Sequence, residues 1–197
     1  MSGTFPQSPG PTRLTVRSVQ PLLVSVAHSL KRQVRSRGGQ RWGFTVEFPP
    51  MLRDQLAPVL AFVLAQRGGY ETFTFYHPLD TTPRGSWSGT PLVNGGSQTG
   101  RSVAVDGFAS YGTVKAGDWV KFGGSNKVYI VTADVTADEY GVMTLPIEPA
   151  LVASPANNAS ITHTAVPFTC ALAADSIETA VVPGKVYSLT VELVEVP

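Results

Sequence analysis

Most hydrophobic positions in this 197-residue chain recur every second residue, the spacing of a strand with one covered face. Residues 13–27 (RLTVRSVQPLLVSVA) are rich in β-branched side chains and predict one or two short strands, with Pro21 at an edge or corner. Trp42, Phe44, Val46 and Phe48 fall on one face of a strand that stops at Pro49-Pro50. One segment has the other period. In residues 51–67 (MLRDQLAPVLAFVLAQR), Leu52, Leu56, Val59, Leu60 and Val63 recur at three- and four-residue steps and form one helical stripe. Pro58 must kink this helix or lie in its first turn, with the start nearer Asp54, and Gly68-Gly69 supplies the C-cap. Residues 71–76 read as another strand, ended by His77-Pro78.

Beyond Asp80 the texture changes. Residues 81–100 carry turn signals, Asn94-Gly95-Gly96 among them, and read as a loop or linker. Short strands follow at 102–105, 119–122, 127–133, 142–147, 160–164 and 167–171, parted by Gly and Asn/Asp turns, which predicts a small antiparallel barrel or sandwich. Pro183-Gly184 is a last turn before a long alternating strand over 185–196, whose Tyr187, Leu189, Val191 and Leu193 should face inward. Pairing that strand with the N-terminal ones leaves residues 80–180 as an inserted β-rich domain, with 1–79 and 181–197 forming the outer one.

Charge sharpens this picture. The net charge of +1 conceals a split: residues 1–69 hold nine Lys/Arg against two acids, whereas residues 70–197 hold six against twelve. Such separation could dock copies of the chain in a fixed orientation, or be solvated surface with no partner. The densest positive run is Lys31, Arg32, Arg35, Arg37 and Arg41, with Lys31, Gln33, Arg35 and Arg37 on one face if the segment is extended. Three roles are open to it: a subunit-interface or channel contact, a solvated strand edge blunted against aggregation, or sequence-independent contact with phosphates.

Reactive chemistry is sparse. The single cysteine, Cys170, excludes an intramolecular disulfide and reads as a half-buried strand residue. His28, His77 and His163 stand far apart, without a paired metal-binding arrangement, and there is no nucleophile elbow or phosphate-binding loop. The reading is a non-enzyme, with no catalytic, cofactor or metal residues. No stretch reaches the roughly 18–20 apolar residues of a spanning helix, so membrane insertion is not expected. No signal peptide is read at the N-terminus, and cytoplasmic synthesis with release by lysis is the expectation.

The string over residues 36–78, SRGGQRWGFTVEFPPMLRDQLAPVLAFVLAQRGGYETFTFYHP, resembles the distal tail and minor tail proteins of siphophages. It follows their order: a GGQRW-type strand, a double proline, an amphipathic helix, and an R-G-x-Y-x-T-F-x-F turn and strand. The closing PGKVYSLTVELVEV is similar to the family's final strand, and KAGDWV with KVY to the β-rich insertion of some members. The resemblance implies a mainly β fold, a β-sandwich with one flanking helix interrupted by the inserted barrel or sandwich. It further implies a homo-oligomer, a hexameric ring around a channel through which DNA passes without specific binding. One face of the ring would meet the tail tube protein and the other the tip (hub) protein, in a virion assembled in the host cytoplasm. The second hypothesis makes the insertion a carbohydrate-binding module at the host surface. Its candidate aromatics are Trp87, Trp119, Tyr111 and Tyr140, of which Trp87, in a Gly/Ser/Pro loop, is the expected exposed one and Trp119 the expected core one.

Overall fold

The structure is a computed structural model and describes residues 3–78, 80–183 and 186–197. Part of the expected 183–184 turn, and Lys185 of the terminal strand, lie outside these residues. The chain forms two compact units: Pro6–Thr72 with Cys170–Val196, and Phe73–Thr169 with Gly3–Phe5.

The first unit opens with β1 (Arg13–Val19), β2 (Leu22–Val26), β3 (Arg32–Ser36), β4 (Arg41–Glu47) and α1 (Arg53–Ala65). The chain then builds the second unit from β5 (Phe73–Tyr76), β6 (Gly89–Val93), β7 (Ser102–Phe108), β8 (Thr113–Val114), β9 (Trp119–Phe122), β10 (Val128–Val131), β11 (Val135–Thr136), β12 (Met143–Glu148) and β13 (Ile161–Thr162). It leaves along β14 (Pro167–Leu172) and ends in the first unit with β15 (Thr179–Val182) and β16 (Val186–Glu195).

In the first unit β4 sits between β1 and the terminal strand β16, both antiparallel to it. Cys170, Ala171 and Leu172 pair with the far side of β16, and β15 with its first half. Alternation then decides the faces. Phe44 opposite Leu193 and Val46 opposite Val191 are buried, beneath α1, whose Leu56, Val59 and Val63 are buried as well. The helical stripe is narrower than the sequence suggests, because Leu52 lies before the helix and is exposed. Gln55 turns back to accept the Leu52 N–H at 3.2 Å, and Asp54 lies in the first turn, at the positive end of the dipole. Pro58 falls inside the helix, in its second turn rather than its first. The helix ends one residue earlier than the glycines indicate. Arg67 takes the left-handed backbone (φ 54°) ahead of Gly68 (φ 66°), and the Gln66 carbonyl accepts the Glu71 N–H at 3.2 Å.

The second unit is a barrel. Its six-stranded sheet runs β13-β9-β10-β12-β7-β6. The two end strands nearly close it, since Leu92 bridges Ser160 and Val93 exchanges hydrogen bonds with Ala159 and Asn158 at 3.0 and 2.9 Å. Val103, Val105, Val120, Phe122, Tyr129 and Leu145 fill the interior. The expected linker 81–100 thus contains β6, which the turn signals obscure. Pro91 is tolerated beside a bulge in the β6–β7 register, and a side chain on Gly89 would collide with the Gly107 carbonyl. In the same unit Gly3–Phe5 runs beside β5, where Phe5 packs on the rings of Phe73 and Phe75 at 5.8 and 5.6 Å.

Candidate assembly interface

Strands β2 and β3 form a two-stranded ribbon that, among the described residues, joins no other sheet. Facing pairs are Leu22–Ser36, Leu23–Arg35, Val24–Val34, Ser25–Gln33 and Val26–Arg32. Facing residues in an antiparallel pair share a side. One side is therefore Leu22, Val24, Val26 and Val34, with Arg32 and Ser36 at its ends. The other is Leu23, Ser25, Gln33 and Arg35, continued by Lys31 and Arg37 just beyond the strand.

The apolar side is bare. Leu22, Val24, Val26 and Val34 are between 48 and 59% exposed, and every residue of both strands is exposed. At the tip, Leu30 donates its N–H to the Ala27 carbonyl at 2.8 Å, has φ 63° and is 85% exposed. A hairpin turn of this kind ordinarily places glycine at the left-handed position. A leucine there costs about 1–2 kcal/mol and presents an isobutyl group to solvent. A lone two-stranded hairpin is marginal in water, and contiguous exposed apolar surface marks interaction sites.

The structure gathers four of the five sequence-flagged cations, Lys31, Arg32, Arg35 and Arg37, on this ribbon. Arg32 stands alone among them on the apolar side. Arg41 belongs elsewhere, opening β4 opposite Val19 on the polar side of the sheet. That side carries Arg13–Glu47 (3.9 Å) and Arg17–Glu192 (3.4 Å) pairs, exposed and each worth at most about 1 kcal/mol. The apolar half of the ribbon was missed as a site because L-V-V alternation reads the same whether the chain or a partner covers it.

Also in the first unit, the β14–β15 connection and the outer side of β16 enclose a groove of about 440 Å³ lined by Ile177, Glu178, Ala180, Thr190, Val191 and Glu192.

In the barrel, the expected exposure of Trp87 is corrected: it is 4% exposed. Its ring stacks on His163 with centroids 4.6 Å apart, and its Nε1–H donates to Asp118 Oδ2 at 2.8 Å. The same carboxylate accepts the N–H groups of Arg84, Gly85 and Lys115 at 2.6, 3.2 and 3.0 Å. Asp118 thereby folds the glycine- and proline-rich loop onto the barrel. Burial pushes the His163 imidazole below its ordinary pKa, against a smaller opposing pull from its hydrogen bond to Ile161 and from Asp118. His77 is lowered by the same cause, opposed by Asp80. Trp119 is buried, edge-on to Phe168 at 5.4 Å. The exposed aromatics are Tyr111 and Tyr140, 67 and 80%. They sit on two turns tied together by Tyr111 N–H to Asp138 O (3.3 Å) and Ser110 Oγ to Glu139 O (2.8 Å).

Among the described residues, no group of three or more His, Cys, Asp or Glu could hold a metal ion, and no helix is long and apolar enough to cross a membrane. Residues 80–166, the barrel, match the family model described as distal tail protein pb9, B domain. This match supports the phage distal tail protein family, and with it a structural component of the virion tail that works alongside other tail proteins. No curated protein matches the chain.

Proposed function

We propose that the chain forms a closed ring, six copies in a siphophage tail, joining the tail tube to the tip apparatus that attaches to the host. The observation that carries this reading is the β2–β3 ribbon, an apolar face on a basic arm that the chain itself leaves uncovered. A ring arises when one surface of a subunit meets a different surface of the next and the rotation closes. Opposite charge on the two parts of the chain favours that arrangement over self-complementary pairing. Native mass spectrometry with negative-stain imaging of the same sample tests it. A closed oligomer with a central hole is expected; a chain that stays monomeric up to high concentration and with its tail partners contradicts it.

A second reading, glycan contact by the barrel, draws on Tyr111 and Tyr140, whose rings stand in solvent on linked turns. Glycan-array binding lost on Tyr111→Ala and Tyr140→Ala would support it, and array silence from the native chain would remove it.

A further inference from the structure

We infer that the apolar side of the β2–β3 ribbon seats in the groove between the β14–β15 connection and β16 of a neighbouring copy, with Arg32 meeting Glu178. This rests on the ring reading and specifies the surface that receives the arm. Three observations point there. The groove, about 440 Å³, offers apolar contacts from Ala174, Ile177 and Ala180, where the other cavities described, of about 210 and 90 Å³, lie in the barrel. Its rim is acidic. Glu192 is already paired to Arg17 at 3.4 Å, which leaves the exposed Glu178 as the carboxylate for an incoming cation. The arm, conversely, carries no acid at all: the first Asp or Glu of the chain is Glu47. Arg32 is the one cation on the apolar side, facing Val26, so an arm lying in the groove brings Arg32 to the rim together with its valines.

Arm and groove are different surfaces, so each copy both gives and receives. That is the head-to-tail contact from which rings close. Apolar burial supplies the attraction, and the Arg32–Glu178 pair sets register and orientation.

The test pairs two experiments on the full chain. In the first, Val24→Cys and Ala180→Cys are combined and oxidised at a concentration where the native chain is assembled; buried Cys170 does not compete. A non-reducing ladder extending beyond dimer is expected from the double variant, and nothing beyond dimer from either single variant. In the second, Glu178→Arg raises the concentration for half-assembly about tenfold, and adding Arg32→Glu to the same chain restores it. Assembly without cross-copy linkage or charge rescue overturns the groove assignment while leaving the ring intact. Linkage within a single chain overturns it too, by showing the arm folded onto its own groove. A chain monomeric at every concentration defeats the ring reading and this inference together.

Discussion

The ribbon β2–β3 and the barrel are built from the same pattern, apolar residues at every second position, yet they stand at opposite ends of burial. Val103, Val105 and Leu145 of the barrel are wholly buried, while Val24, Val26 and Val34 of the ribbon are about half exposed. The barrel all but closes on itself, so its inward faces find their cover in the chain. The ribbon has two strands and therefore two open sides. Alternation thus reports only that a face requires cover; strand number and closure decide whether the cover is the chain itself or a partner.

That contrast is sharpest in paired substitutions. Phe122→Ala, which removes a ring 1% exposed inside the barrel, should lower unfolding free energy by about 3–5 kcal/mol, read by denaturant melts. Val24→Asp on the ribbon should leave unfolding within about 0.5 kcal/mol of the native chain and abolish assembly. If Val24→Asp destabilised the monomer as Phe122→Ala does, the ribbon would be part of an internal core and the comparison would fail.

Asp118→Ala comes next. It strips four donors, three backbone N–H groups and the Trp87 indole, of a charged acceptor. Leaving such groups unsatisfied should cost roughly 3 kcal/mol and free Trp87 from the barrel, visible as a red shift in its fluorescence.

Leu30→Gly separates strain from contact. It relieves a left-handed leucine and should stabilise the monomer by roughly 1 kcal/mol, yet weaken assembly by removing the most exposed apolar side chain of the arm. A tighter assembly from this variant would show that Leu30 takes no part in the contact.

The smallest effect is with pH. The folded barrel holds His163 below its ordinary value of 6.5, so the unfolded chain binds the proton first. Its contribution to stability is therefore complete above about 6.5 and is lost as pH falls through the lower folded value. His77 acts with the same sign. Thermal melts of His163→Gln should show a shallower decline below pH 6.5 than those of the native chain.

Much of this architecture was legible in the sequence, and particular residues show why. β4, β12 and β16 combine alternation with a covered face, and α1 has its own period, so local pattern and tertiary packing agree. Trp87 was misplaced because its Gly/Ser/Pro surroundings signal a surface loop, while its burial depends on Asp118, 31 positions away, which no local pattern reveals. β6 was hidden by Gly89 and Pro91, residues that usually end strands and here serve a bulge. Of the basic run, neighbours in sequence were separated by topology: Arg32 went to the apolar side of the ribbon and Arg41 to another sheet.

The most direct measurement of the central claim is hydrogen–deuterium exchange of residues 20–37 in dilute and concentrated protein. Amides of the ribbon should exchange rapidly in the monomer and become protected in step with assembly, while the barrel amides stay unchanged. Equal protection of the ribbon at every concentration would contradict the account, because it would mean that no second copy covers the arm.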